Sequence, residues 1–492
     1  MIEKVKHKGL ALAVLAAAQF MVVLDATIVN VALPAIQRTL NVTSEAQLQW
    51  VVTAYALLFG GFLLLGGRLA DLFGRRKLFL AGVALFAIAS LLGGLSQNLG
   101  QMIVFRAMQG LGGALLAPAA LSLVLTIFKE GPERNKALGV WSMIAGGGGA
   151  VGLILGGTLT QYINWRWTFF INVPIALLVL FLAMRFVPKS TPAKKQRVDV
   201  AGAITITGGV MGLVYALSEA PSRGWNDGLV LGILGLSAAL IAAFIINERK
   251  VKQPLVRLDI FKRRNTTGVI LLQLFMPAAM FGMFFYLSIY MQQVMGFSPT
   301  KTGIANLPFT LTIVTVAVIL SRNIGKLNPK VILTIAPLLV AAGLLYLSRL
   351  DVDSSYLTDI LPATIIMAAG MSSMFVTSTL VATSGVPHEE TGLISGLLNT
   401  SPQVGGAVGL AILTFVSTTT TTNDMAAAGG NPAALLPAMM HGFQHGFIVA
   451  SLLALVGCLI VLLVIKARKP TKAALEHELE TEAESMPAIP GV

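Results

Sequence analysis

Long apolar stretches alternate with short polar ones along almost the whole chain. Apolar runs of about 20 residues recur, each long enough to cross a hydrocarbon layer about 30 Å thick as a helix. Bounding each run at its polar clusters predicts fourteen spans, near 10–33, 48–67, 78–96, 101–127, 137–160, 168–187, 200–218, 228–246, 266–292, 303–321, 331–349, 359–384, 391–417 and 446–466. Most connections are short, so sequential helices are expected to pack antiparallel. Two basic, Pro-bearing loops, 188–198 and 247–265, set the seventh and eighth spans apart from six before and six after. A repeat supports this division: Gly148-Gly149-Ala150-Val151-Gly152-Leu153 recurs at 405–410, and each copy lies on the fifth span of its group. The expected organisation is a six-helix half over 1–188, an inserted pair over 189–265, a second six-helix half over 266–466 and a tail over 467–492. The fold class is an all-α polytopic membrane protein.

Composition leaves no room for a soluble core. Only 12% of the 492 residues are charged and 55% are apolar, with a mean hydropathy of +0.80; soluble domains carry about 25% charged residues. The net charge of +13 points to nucleic acid only until the charges are located. With loops assigned alternately to two sides, 28 of the 35 Lys and Arg fall on one face, five on the other, and Arg106 and Arg185 lie within apolar segments. Positive residues accumulate on the cytoplasmic side, so both termini are placed in the cytoplasm and a nucleic-acid partner is excluded. Residues 4–18 have the outline of a signal peptide, but the apolar run continues to Pro34 and more spans follow, so it is read as the first helix. The lone Cys458 excludes a disulfide framework. Asn41-Val42-Thr43 is a glycosylation sequon, meaningful only in a secretory-pathway host. The Thr-rich run 417–423 reads as a flexible linker, His441 and His445 as loop residues with no third zinc ligand, and the Glu-rich end as a solvated tail.

Asp25 is the only charge in the first apolar segment. A carboxylate in hydrocarbon costs about 3 kcal/mol on insertion scales, so such a residue faces a bundle interior or a wet cavity and is a functional candidate. The bland alternative is a neutral Asp that ties two helices together. Arg106, within the fourth span, faces the same cost unless paired. At 1.5 Å per residue Asp25 lies about 22 Å above the cytoplasmic edge and Arg106 about 8 Å below the outer edge, which is one level in a core about 30 Å thick. The two are therefore expected to meet, with protons from outside reaching Asp25 and Arg106 competing with them for the carboxylate. Aligning Gly110 with Gly370 places Ile366 where Arg106 would be, and the ninth span carries no acid.

Several motifs are specific. Gly67-Arg68-Leu69-Ala70-Asp71-Leu72-Phe73-Gly74-Arg75-Arg76-Lys77 resembles the loop between helices 2 and 3 of the major facilitator superfamily. Gly67 and Gly74 permit a tight turn, and Asp71 can meet a helix N-terminus or an Arg, so these residues with Arg68, Arg75 and Arg76 are assigned to a cytoplasmic latch. The matching turn 321–330 keeps its basic residues and lacks the acid. Met102-Ile103-Val104-Phe105-Arg106-Ala107-Met108-Gln109-Gly110 resembles the superfamily's second motif, whose Arg the resemblance associates with proton coupling. Gly148, Gly152 and Gly156 stand at small-xxx-small spacing, and with Gly157 they form a candidate packing hinge. The family's antiporter motif lies here and usually has Pro where this chain has Leu153, a departure that removes a kink and weakens the inference of antiport. Leu24-Asp25-Ala26-Thr27-Ile28-Val29-Asn30-Val31-Ala32-Leu33-Pro34, Trp165-Arg166-Trp167-Thr168-Phe169-Phe170-Ile171-Asn172-Val173-Pro174, Pro254–Phe261 and Gly396-Leu397-Leu398-Asn399-Thr400 resemble the fourteen-helix drug:proton antiporter branch.

The resemblance implies a secondary transporter in a bacterial inner membrane, exporting lipophilic cations in exchange for protons, powered by the proton gradient without a cofactor. It implies a monomer whose partners are the drug, protons and the bilayer. Proton coupling is assigned to Asp25 and Arg106. Substrate contacts are assigned to Gln109, Gln273, Met280, Phe284, Tyr286, Tyr290, Met371 and Asn399, since Met and aromatic faces suit lipophilic cations; the same residues at helical spacing are also ordinary packing. The alternatives are a same-fold transporter of a metabolite, siderophore, amino acid or lipid, or a channel. No intramembrane zinc motif and no nucleotide-binding Gly-Lys loop is present, so neither a membrane enzyme nor an ATP-driven pump is expected.

Overall fold

The computed structural model describes residues 7–128, 132–189, 199–251, 254–323, 327–383 and 388–466. The apolar spans fold as helices because, with no water to bond the backbone, only internally satisfied peptide groups are stable in a membrane. The long helices are α1 (Lys8–Thr39), α2 (Trp50–Phe73), α3 (Arg75–Gly94), α4 (Leu99–Ile127), α5 (Pro132–Tyr162), α6 (Asn172–Phe186), α7 (Val200–Arg223), α8 (Gly228–Lys250), α9 (Arg264–Gln293), α10 (Leu307–Asn323), α11 (Pro329–Leu347), α12 (Leu361–Thr383), α13 (His388–Ala427) and α14 (Leu435–Val464). Polar residues between spans start several of them: Asn98 accepts from the Gln101 N–H at α4, Asp227 from Leu229 and Val230 at α8, and Asn328 from Lys330 at α11. Among the described residues thirteen helices are long and apolar enough to cross a membrane. α5, a 31-residue helix at the place of the fifth expected span, is not among the thirteen. The protein is therefore a multi-pass helical membrane protein, with the count of fourteen spans not established.

Packing sorts the helices. α1 to α6 form a first group, α9 to α14 a second, and α7 with α8 a pair whose α7 lies against α2 and α13. The basic turns holding Arg68, Arg75 and Arg76 mark one end of the bundle, here termed the basic end; Thr39, Gln161 and Pro299 mark the distal end. α8 is covered almost only by α7, and its apolar side chains Leu231, Leu236 and Ile246 remain exposed.

The two groups use glycine in the same way. A Cβ on Gly152 would lie 2.0 Å from Thr27 Oγ1 and 3.0 Å from the Leu24 carbonyl, so α5 rests directly on α1. A Cβ on Gly409 would lie 2.0 Å from the Ala278 Cβ, and one on Gly405 2.1 Å from the Leu274 carbonyl, so α13 rests on α9. The repeated hexapeptide thus makes the same helix-to-helix contact twice. Gly152→Leu is expected to force α1 and α5 apart, costing about 1–3 kcal/mol as overpacking does. A lower yield of monodisperse protein and a lower Tm in detergent would register it, and a native-like Tm would argue against the contact.

Two sequence expectations give way here. The Thr-rich run 417–423 is the distal end of α13, a helix of 40 residues. It stays helical because α14 packs on it: a Cβ on Gly442 would lie 2.5 Å from Thr421 Oγ1, and Thr421 donates to the Ala438 carbonyl (3.2 Å). His441 and His445 are likewise helical, on the first turns of α14, where His441 meets Asp424 at 3.0 Å.

Candidate functional site

The centre of the first group is polar. Asp25 on α1 is 0% exposed and Arg106 on α4 is 1% exposed, and Arg106 Nη1 stands 2.6 Å from Asp25 Oδ2. The other carboxylate oxygen, Oδ1, accepts from Gln109 Nε2 (2.9 Å) and Asn172 Nδ2 (2.8 Å). Arg106 Nε donates to the Val51 carbonyl on α2 (2.8 Å) and Nη1 also to Gln109 Oε1 (3.0 Å). Gln109 further donates to Ser90 Oγ on α3 (2.7 Å). The guanidinium lies 4.4 Å from the centre of the Tyr55 ring, within cation–π range. Five helices, α1 to α4 and α6, therefore converge on one ion pair.

Burial makes this arrangement consequential. Removing two charges from water costs several kcal/mol each, which is offset only by close pairing and by hydrogen bonds to the remaining lone pairs. Both Asp25 oxygens have donors, and Arg106 keeps a carbonyl, an amide oxygen and an aromatic face even without the carboxylate.

The candidate hinge adjoins this pair. Gly148 faces Val23 and Phe20, Gly152 faces Leu24 and Thr27, and Gly156 faces the Ile28 carbonyl, so α5 covers the turns of α1 on either side of Asp25. Gly157 points elsewhere: its Cβ would lie 2.5 Å from the Pro299 carbonyl in the short helix Pro299–Ala305 of the second group. Conversely, a Cβ on Gly303 would lie 2.2 Å from the Leu153 carbonyl. One helix thus touches both the Asp25 segment and the opposite group.

The distal ends of the two groups are joined. Ser288 donates to the Asn30 carbonyl (2.7 Å), Gln292 to the Val31 carbonyl (2.9 Å), Gln293 to Gln37 (2.9 Å), and Gln161 accepts from the Thr300 N–H (3.2 Å). Below the Ser288–Asn30 bond, the same faces of the two helices carry Ala26, Val23 and Gln19 on α1, and Phe284 and Met280 on α9, all partly or fully exposed. The space between the groups along these stripes is here termed the cleft; the groups are joined over it distally, and α2 meets α13 beside it, where a Cβ on Gly396 would lie 2.3 Å from Leu64 Cδ2.

The remaining candidates separate by position. Met280 and Phe284 are half-buried, and Asn399 is exposed. Gln109 is wholly engaged by the ion pair rather than turned to the cleft. Tyr286 is fully buried against Phe443, Phe447 and Thr414, and Tyr290 is fixed by a hydrogen bond to the Asp351 carbonyl (2.6 Å). Gln273 and Met371 are buried between helices. A groove of about 620 Å³ at the distal end, lined by residues including Met295, Phe297, Lys301 and Tyr356, lies in the second group, apart from the ion pair.

At the basic turn Gly74 has φ +96°, a conformation that favours glycine. Gly67 is helical, in ordinary contact with Pro118. Arg68 donates to the Pro254 carbonyl (2.8 Å), Arg75 to Thr126 and Arg76 to the Met184 carbonyl. The side chain of Asp71 and residues 324–326 of the matching turn lie outside the described residues.

Four contributors escaped sequence reasoning: Asn172, Ser90, Tyr55 and the Val51 carbonyl. Asn172 opens α6, and its signal was an amide inside an apolar motif. The Val51 carbonyl left no signal, since backbone groups look alike in sequence.

The profile described as Major Facilitator Superfamily matches residues 15–410. The chain belongs to this superfamily. This transporter is similar to the puromycin resistance protein pur8 of Streptomyces alboniger, at 41% identity over 94% of this chain and 92% of the relative. It is also similar to the cephamycin export protein CmcT of Amycolatopsis lactamdurans, at 36% over 83% and 84%, and to the tetracenomycin C resistance and export protein of Streptomyces glaucescens, at 36% over 80% and 73%. Among solved structures it superposes on a bacterial homolog of the human lysosomal transporter Spinster in an inward-facing, occupied conformation. That match has a TM-score of 0.66 and 16% identity over 93% of this chain and 97% of the other, which speaks to the fold.

Proposed function

We propose that this transporter exports lipophilic, cationic drugs of the antibiotic type from a bacterial cytoplasm, each in exchange for protons that bind at Asp25. The observation that carries the reading is the fully buried Asp25–Arg106 pair at 2.6 Å, set beneath α5, a helix that also touches the opposite group. Its relatives named for puromycin, cephamycin and tetracenomycin resistance or export support antibiotics as the substrates. The charge asymmetry supports a cytoplasmic basic end and cytoplasmic termini, with the bundle in the inner membrane. The cleft then opens inward, ready to take drug from the cell. Drug would lie along Gln19, Val23 and Ala26 on one side and Met280 and Phe284 on the other, with Asn399 nearby on α13.

A proton reaching Asp25 from outside displaces Arg106 onto Val51, Gln109 and the Tyr55 ring. The loss of the ion pair shifts α1 against the glycines of α5. Because Gly157 of α5 abuts Pro299, that shift is transmitted to the distal closure, and the two groups rock about the drug. Arg68, Asp71, Gly74, Arg75 and Arg76 would form the latch at the cytoplasmic end. The protein works as a monomer and draws its energy from the proton gradient.

The test is puromycin uptake into inside-out vesicles under an imposed pH gradient. Uptake is expected to stop when a protonophore collapses that gradient. Uptake that continues unchanged would overturn antiport, and absence of puromycin uptake with uptake of a metabolite instead would overturn the substrate class.

A further inference from the structure

The basic end of the inserted pair holds two acids that the transport reading does not use. Asp199 caps α7, its Oδ1 accepting from the Gly202 N–H (2.8 Å), and its Oδ2 accepts from Asn247 Nδ2 on α8 (2.6 Å). The next residue, Glu248, is 4% exposed. Its Oε2 accepts from the Val256 N–H (2.9 Å), in the segment that leads to α9. Its Oε1 is buried and has no protein donor. That oxygen is turned toward Asp199: a Cβ on Gly202 would lie 2.6 Å from Asp199 Oδ2 and 2.8 Å from Glu248 Oε1. The two carboxyls converge over a glycine and lie within hydrogen-bonding reach of one another.

Two carboxylates this close and this shielded repel each other, and a proton between them relieves the repulsion. The groups that act on Glu248 are the Asp199 carboxyl and the N–H groups of Leu255 and Val256, with no cation among them in the described residues. The first turn of α7 after Asp199 is uncharged. Arg249 and Lys250, which end α8, are exposed. In the segment after Val256, Arg257 acts on Asp259, and Asp259 is paired with Lys262 at 2.7 Å, which holds its carboxyl below the usual range. From α2, Arg68 reaches the Pro254 carbonyl. A hydrogen bond between two carboxyls needs one proton.

We propose that Asp199 and Glu248 bind a single proton between them, giving the inserted helices a proton site of their own on the basic end, separate from Asp25. The site has a mechanical attachment. Glu248 grips Val256 while Arg68 of the first group grips Pro254, so the short segment entering the second group is held from both sides. Loss of the shared proton sets two negative charges against each other beneath that segment and loosens the grip.

The experiment is thermal unfolding of the full-length protein in detergent, native and Glu248→Gln, from about pH 5 to about pH 8. In the variant the amide N–H₂ replaces the shared proton and the carbonyl still accepts from Val256. The native Tm is expected to fall by about 2 °C or more as the pH rises, and the variant's to lose that fall. Asp199→Asn, read the same way, stands in if the first variant does not fold. Parallel pH curves for native and variant would overturn the proposal. So would native-specific stabilisation by sodium or calcium at fixed pH, which would assign the pair to a metal cation. The readout is stability, so failure of the Asp25 reading leaves it intact.

Discussion

Asp25→Asn is expected to abolish proton-driven drug export while leaving the protein folded. The amide has the shape of the carboxyl and keeps an oxygen for Arg106 Nη1, and Arg106 retains Val51, Gln109 and the Tyr55 ring. What the variant loses is the ability to alternate between charged and neutral states, together with the second oxygen that accepts from Gln109 and Asn172. Drug resistance in a pump-deficient bacterium and gradient-driven uptake in vesicles should both fall by at least about tenfold, the equivalent of about 1.4 kcal/mol in the barrier. Binding of drug in detergent should persist. Gradient-driven uptake at the native rate in this variant would remove Asp25 from the coupling mechanism.

Arg106→Ala should show the largest loss of stability. It leaves the Asp25 carboxylate fully buried with only Gln109 and Asn172 as donors. Removing one member of a buried pair costs about 3–5 kcal/mol, because the other is stranded. The double variant Asp25→Asn with Arg106→Ala strands no charge, so it should be more stable than Arg106→Ala alone. A cycle of the four proteins by thermal unfolding measures the coupling. Additive effects of the two substitutions would mean that the 2.6 Å contact contributes no coupling to stability.

These residues show what a sequence exposes. Helical rise is constant, so counting from the ends of two apolar runs placed Asp25 and Arg106 at one depth, and the structure has them in contact. The small-residue spacing on α5 was legible for the same reason, since close backbone approach requires glycine at one helical period. The partners that complete the pair were less visible. Gln109 was nominated for substrate because a polar residue three positions from Arg106 carries no mark of direction; the fold turns it to Asp25 and Ser90. Tyr286 and Tyr290 failed as cleft residues for a related reason. Aromatic spacing defines a helix face without saying which neighbour covers it, and α14 covers Tyr286. The Thr-rich end of α13 misled through composition, since a polar run folds when a neighbour such as α14 supplies packing.

The two copies of the glycine hexapeptide make the halves comparable residue by residue. Gly152 meets Thr27 as Gly409 meets Ala278, and Gly148 meets Val23 as Gly405 meets Leu274. By that register Met276, fully buried, stands where Asp25 stands, and the sequence alignment of Gly110 with Gly370 puts Ile366 at the place of Arg106. The duplicated frame has therefore divided its labour, with the ionisable machinery kept in one copy and its place in the other filled by hydrocarbon and sulfur. On the function proposed above, selection for a new drug could rewrite side chains along α9, α12 and α13 without disturbing the residues assigned to proton coupling. A lineage of pumps built this way can diversify in what it expels while inheriting its engine unchanged.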